Sequence, residues 1–97
     1  MGQLEWDEAK NERNIRERGI PFEFAAEFDF TTALFVTEPL EKYGESRIRA
    51  LGFLGERLHV LVFTMRGERL GVISLRKANA RDVKKYAQNY PAEPGKA

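Results

Sequence analysis

The apolar positions of the chain follow two kinds of spacing and leave one segment almost bare. That segment runs from Asp7 to Arg18, where Ala9 and Ile15 are the only apolar side chains. Its ends are nevertheless those of a helix. Asp7 is a good N-cap, Glu8 puts negative charge in the first turn, and Gly19 is a good C-terminal stop. A helix that is polar all round is either solvated or has work for its polar face. Upstream, Leu4 to Trp6 reads as a short strand. Downstream, Pro21 suits the first turn of a second helix, with Phe22, Ala25, Ala26 and Phe28 as its apolar stripe.

From Thr31 the spacing changes from helical to alternating. TTALFVTE, residues 31–38, is rich in β-branched and aromatic residues and predicts a strand stopped by Pro39, and EPLEKYGE reads as a polar loop. SRIRALGFL, RLHVLVFTM and RLGVISLRK follow, separated by Gly55-Glu56 and by Arg66-Gly67-Glu68, which predicts an antiparallel meander of tight hairpins. In the first of these strands Ile48, Ala50, Gly52 and Leu54 share one face, and Arg47, Arg49, Leu51 and Phe53 the other. Both faces carry apolar residues, so helices should cover one face and part of the other. Asn79 caps a third helix with Asp82 near its N-terminus, and Val83, Tyr86, Ala87 and Tyr90 supply its packing stripe. Residues 91–97 read as a frayed, disordered tail. The order β-α-α-β-β-β-β-α predicts a single α+β domain over residues 1–97, its helices packed on a mainly antiparallel sheet.

Composition removes whole classes of chemistry. The chain has no cysteine and one histidine, His59, which excludes disulfides, thiol nucleophiles and a zinc knuckle. No apolar run approaches the ~20 residues that span a bilayer, and MGQLEWDEAK lacks the apolar segment of a signal peptide. The expected location is the cytosol, without membrane contact. The net charge of +1 conceals a split between halves. Residues 1–45 hold 5 Lys/Arg and 11 Asp/Glu, whereas residues 46–97 hold 11 Lys/Arg and 4 Asp/Glu. A basic half of this kind suits a polyanion, unless the two halves neutralise each other in the fold.

Familiar catalytic signatures are missing: there is no GxSxG, P-loop or HExxH. His59, between Leu58 and Val60 in mid-strand, reads as a structural residue. What remains are cations at strand ends and turns: Arg47 and Arg49 on one strand face, Arg66 at a hairpin, Arg76 and Lys77 closing the last strand, and Arg81, Lys84 and Lys85 on the third helix. Guanidinium groups bind phosphate bidentately and stabilise charge on a phosphoryl group in transit. RNA carries its own nucleophile, the 2′-hydroxyl, so an arginine site without histidine is able to cleave it. Composition alone leaves open a basic surface that only binds phosphate.

The first helix and its flanks, EWDEAKNERNIRERGIPFE, resemble the N-terminal signature of the BrnT toxin family, W-D-x-x-K-x-x-x-N-x-x-K-H-G-[IV]-x-F-E. Trp6, Asp7, Lys10, Asn14, Gly19, Ile20, Phe22 and Glu23 match it. ESRIRALG fits the family's E-x-R-x-x-x-L-G, and in FTMRGERLGVISLRKANARDVKKY the residues Arg66, Gly67, Ile73, Ser74, Arg76, Lys77, Ala78 and Tyr86 match its distal segment. The chain departs from the pattern at Glu17 and Arg18, which stand for Lys-His, at Gly71 for arginine, at Leu75 for alanine and at Asp82 for glutamate.

The resemblance implies a RelE-like fold, with two N-terminal helices and one C-terminal helix on the sheet. It further implies an endoribonuclease toxin of a type II toxin–antitoxin pair that inhibits translation in a bacterial stress response. Its implied partners are RNA and a ribbon-helix-helix antitoxin similar to BrnA, with operator DNA reached only through the antitoxin complex. On that basis the candidate catalytic residues are Arg47, Arg66, Arg76, Lys77 and Asp82, the last as an acid–base or orienting group. The candidate RNA-binding residues are Lys10, Asn14, Arg18, Arg49, Arg81, Lys84 and Lys85; no metal or other cofactor is expected. Lys10, Asn14 and Arg18 recur every four residues and so line one helix face, which either borders the RNA or is structural. A catalytically weak relative that only binds antitoxin or RNA is the alternative reading.

Overall fold

The computed structural model describes residues 3–38 and 44–89. Five strands form one mixed sheet in the order β1-β5-β4-β3-β2: β1 Gln3–Trp6, β2 Leu34–Glu38, β3 Arg47–Leu54, β4 Arg57–Arg66 and β5 Arg69–Lys77. β2 to β5 pair antiparallel in sequence, and β1 returns to pair parallel with β5. The two expected hairpins form, each a Gly-Glu turn whose glycine takes a positive φ (67° at Gly55, 66° at Gly67). That conformation matches the twist of the strands it joins. Helices α1 Glu8–Arg18 and α2 Ala80–Asn89, with a 3-10 helix at Phe22–Glu27, complete the chain. No helix among the described residues is long and apolar enough to cross a membrane.

Helix α1 has the expected ends. The Asp7 carboxylate accepts the Ala9 N–H at 2.8 Å, and Gly19 closes the helix at φ 73° while donating to Ile15 O. Its polar face is not simply solvated. Asn14 is buried, and its amide donates to Ile20 O at 2.9 Å and to Leu75 O at 2.8 Å. The same amide's oxygen accepts the Leu75 N–H at 3.5 Å. β1 ends at Trp6, opposite Val72, so the edge of β5 beyond that point is finished by Asn14 in place of a strand. Asn11 does similar work, its side-chain oxygen accepting the Phe22 N–H at 2.8 Å. The helix docks through amides, while Ile15 is exposed.

The second helix departs from expectation. It is 3-10 rather than α, with Pro21 at its N-cap rather than in its first turn. Phe22, Ala25 and Phe28 are buried at a strict three-residue spacing, the period at which 3-10 side chains eclipse. Ala26, expected in the stripe, is exposed. The segment has little freedom to be longer, since Asn11 holds its start and Asp29 N–H bonds Phe53 O just past its end. It covers one sheet face, packing on Ala50, Leu61, Phe63, Val72 and Leu75. Gly52 makes room for it, because a Cβ there would meet the Phe28 ring at 2.7 Å.

Two more boundaries shift. Thr31 and Thr32 are a turn, and the strand starts at Leu34. Both threonine hydroxyls donate to the Asp29 carboxylate, at 2.6 and 3.0 Å, which draws them into an Asx-type turn. On α2 the apolar stripe is not a packing stripe: none of its described residues is buried, and Val83 and Ala87 are exposed. Tyr86 alone docks, through an edge-on contact with Phe53 (centroids 5.8 Å apart) and a 2.6 Å hydrogen bond to Thr32 O. Most of the expected loop after β2, Tyr90 and the tail lie outside the described residues.

Asn14→Ala leaves the Leu75 and Ile20 backbone groups unsatisfied and should cost about 2–4 kcal/mol in urea unfolding. Asn14→Asp, which turns an acceptor towards two carbonyls, should cost at least as much. Lys10→Ala, one turn away and exposed, should stay within about 0.5 kcal/mol. Equal costs for Asn14→Ala and Lys10→Ala would show the amide clamp to be dispensable.

Candidate nucleic-acid interface

The side chains of β3, β4 and β5 alternate between the face under the 3-10 helix and the opposite one. Arg49, Val62 and Ser74 are register partners, as are Leu51, Val60 and Arg76. These two rows lie on the opposite face, whose Leu51–Leu58–Val60 end is closed by Ala78 and Tyr86. Beyond that apolar end sit two half-buried arginines, Arg49 and Arg76, with Val60 and Val62 between them on β4. Arg47 follows Arg49 on the same face of β3, and its guanidinium lies 4.0 Å from Glu45.

The start of α2 supplies the acidic part of this face. Asn79 and Asp82 form a reciprocal cap: the Asp82 N–H donates to Asn79 Oδ1 at 2.8 Å, and the Asn79 N–H donates to Asp82 Oδ2 at 2.9 Å. The same Oδ2 accepts from Arg76 Nη1 at 2.7 Å. Burial disfavours the Asp82 charge, but the Arg76 hydrogen bond, the Asn79 amide and the charges of Arg76 and Arg49 outweigh it. Its carboxyl is held below the usual aspartate value. Glu38, at the end of β2, pairs with Arg49. Two arginines and two carboxylates therefore converge, with each guanidinium anchored on one side.

The remaining candidates are placed elsewhere. Arg66 lies six residues along β4 from Val60, about 20 Å at ~3.3 Å per residue. There it bonds Glu5 at 3.0 Å and Glu45 at 3.4 Å, and the Glu5 contact raises its pKa. Gly71 accounts for its pose: a Cβ at that position would come within 2.9 Å of the Arg66 guanidinium. Lys77 pairs with His59 on the 3-10 helix side and is exposed, so the structure does not bring it to Arg76. His59 is buried, with Nδ1 2.8 Å from Arg57 O. Arg81, Lys84 and Lys85 are exposed on α2.

Lys10 and Arg18 are brought together, and with them Arg13, which the sequence did not single out. They line a small polar cleft of about 130 Å³ with Arg13, Asn14, Glu17, Ile73 and Ser74. Ser74 is also the register partner of Val62, so the cleft adjoins the arginine face. A β-bulge between Val62 and Phe63 inserts Ile73 here and turns the strand towards α1. Asn14 is within this cleft, but its amide is committed to backbone. Glu38 and Arg13 were legible only as ordinary polar residues, whereas Asn79 was expected as a helix cap and Ser74 as a match to the family's distal segment. Among the described residues no three His, Cys, Asp or Glu come together as a metal site.

A depressed carboxylate stabilises the fold above the unfolded-state pKa, and that contribution is lost as pH falls through the folded value. Asp82→Asn should therefore lower the unfolding midpoint near neutral pH, and the gap from the parent should close below about pH 4. A gap that is the same at all pH values would mean that the Asp82 charge contributes nothing to it.

No curated protein sequence matches the chain. A solved structure does: the crystal structure of the Brucella abortus ribonuclease toxin BrnT is 25% identical, with a TM-score of 0.67, over 81% of this chain and 99% of that one. The family described as "Ribonuclease toxin, BrnT, of type II toxin-antitoxin system" matches residues 6–82, from the end of β1 to the first turn of α2. That span includes all of the chain from the last residue of β1 through β5, and the chain belongs to the BrnT family of ribonuclease toxins.

Proposed function

We propose that the chain is a metal-independent endoribonuclease that cleaves RNA on the Arg49–Arg76 face of the sheet and thereby inhibits translation in the cytosol. The five-stranded sheet, with the 3-10 helix on one face and α2 beside the arginines on the other, supports reading the fold as RelE-like. The observation that carries the proposal is the convergence of Arg49, Arg76 and Asp82, with Asp82 bonded to Arg76 at 2.7 Å and within electrostatic reach of Arg49. In the reaction the RNA 2′-oxygen gives up its proton and bonds to the adjacent phosphorus. The P–O5′ bond breaks, and the departing 5′-oxygen takes up a proton, leaving a 2′,3′-cyclic phosphate. Negative charge grows on the non-bridging oxygens, and preorganised guanidinium groups stabilise it where it grows. Asp82, ionised at neutral pH, has no proton to donate; it orients Arg76. The cleft of Lys10, Arg13 and Arg18 extends the contact to neighbouring phosphates, and a ribbon-helix-helix antitoxin similar to BrnA neutralises the enzyme.

If Arg76 acts on charge that appears only during cleavage, Arg76→Ala should lower the single-turnover rate on the order of 100-fold while RNA affinity falls little. Lys84→Ala should leave the rate at saturation unchanged and reduce the salt dependence of binding by about one charge. Unchanged cleavage by Arg76→Ala at saturating RNA would reduce Arg76 to a phosphate contact. No cleavage by the free parent chain would favour a non-catalytic antitoxin-binding module.

The products and the ions tell a second part of the story. Cleavage should persist in EDTA and yield 2′,3′-cyclic phosphate or its 3′-phosphate hydrolysis product. Loss in EDTA with recovery on adding a divalent metal would overturn metal independence.

A further inference from the structure

The face of the sheet away from the arginines has an unfilled apolar cavity. It measures about 490 Å³ and is lined by Leu4, Ala25, Ala26, Phe28, Phe30, Phe63, Met65, Glu68 and Leu70. It lies between the 3-10 helix and the β4–β5 end of the sheet, with buried Phe63 and half-buried Leu70 on its wall. Met65 at its mouth and Phe35, stacked on Phe30, are about half exposed, at 48% and 47%. A small-molecule site would place several convergent polar groups among such side chains. Among the described residues that line it, Glu68 is the only charged or polar one. The shape asks for apolar side chains rather than a polar metabolite.

The charge around the cavity states what should accompany them. Glu68 lines it, and Glu23 and Glu27 are exposed on the 3-10 helix that forms its wall. None of the three has a described ion-pair partner, in contrast to Glu5, Glu38 and Glu45, which are all paired with arginine. An apolar cavity flanked by unpaired carboxylates complements a segment with apolar anchors and flanking Lys or Arg.

We infer that this cavity is the docking site for a basic amphipathic segment of the antitoxin, an inference that rests on the toxin–antitoxin reading above. The anchors enter beside Met65, whose unbranched side chain adapts to what it meets, and the flanking cations meet Glu68 and Glu27. Because the cavity and the arginines are on opposite faces, this segment binds without displacing RNA. Masking of the arginines then falls to another part of the antitoxin.

The test uses the full chain, the protein encoded by the adjacent reading frame, and two synthetic helical peptides, one of Leu and Lys and one of Leu and Glu. Met65→Asp puts a charge at the cavity mouth, and the double variant Glu27→Lys with Glu68→Lys reverses the rim; all three positions are exposed, so both proteins should fold. Met65→Asp should weaken antitoxin binding by on the order of tenfold to a hundredfold, as expected of an anchor at a buried contact. The rim variant should weaken it and flatten its salt dependence, and the Leu/Lys peptide should bind the parent more tightly than the Leu/Glu peptide. Both variants should cleave RNA at the parent's rate. Parent-like antitoxin binding by both variants would overturn this docking site and leave the functional reading intact. A parent chain that neither cleaves RNA nor binds the antitoxin would defeat that reading itself. Equal binding of the two peptides, or self-association of the parent that Met65→Asp abolishes, would assign the cavity to another occupant.

Discussion

The side-chain amide of Asn14 holds together parts of the fold that are 61 residues apart. It satisfies both backbone groups of Leu75 and the carbonyl of Ile20, deep enough that the residue is buried. A sheet edge without a partner must be paired, covered or solvated, because buried backbone groups are costly to leave unbonded. Here one amide completes the edge where β1 runs out. Leu75 packs into the core on one side, and Arg76 follows it in the strand towards the opposite side. The bond that seats α1 therefore also fixes the strand that presents Arg76.

That arrangement separates two kinds of chemistry by the alternation of a strand. On one face the 3-10 helix packs Phe22, Ala25 and Phe28 onto Ala50, Leu61 and Leu75. On the other, the same strands present Arg49 and Arg76 above Val60 and Val62. The carboxylates of Glu38 and Asp82 limit the repulsion between the two guanidinium groups and fix each from one side. Surface ion pairs usually contribute little to stability. Their value here is geometric, since a guanidinium held in place needs less reorganisation to meet a phosphate.

Helix α2 is the least packed element and carries one of the most connected side chains. It has no buried described residue, yet Asp82 caps it, bonds Arg76 and faces Arg49. Tyr86 secures the helix at its other end through Phe53 and Thr32. The family match stops at residue 82, so Asp82 is the last matched position and Tyr86 lies beyond it. Much of the helix is thus a bracket for a single carboxylate.

Local rules determined most of the secondary structure. The Asp7 and Gly19 caps, the two Gly-Glu hairpins and the alternating runs of β3 to β5 each depend on neighbours in sequence, and each formed where the pattern placed it. The family was legible too, because its motifs are stretches of consecutive chain. The late start of β2 followed from another local rule, the turn in which Asp29 takes up the Thr31 and Thr32 hydroxyls. Local rules did not decide the 3-10 form of residues 22–27 or the solvated stripe of α2, which followed from Asn11 and Tyr86, whose partners are set by tertiary packing. The site was divided the same way. That Arg47 and Arg49 share a face is a matter of period two, but the meeting of Arg49 with Glu38, and of Arg76 with Asp82, depends on strand register and helix placement. Sequence spacing fixes neither, because a hydrogen bond across the fold is chosen by distance in space, which only the packed chain defines.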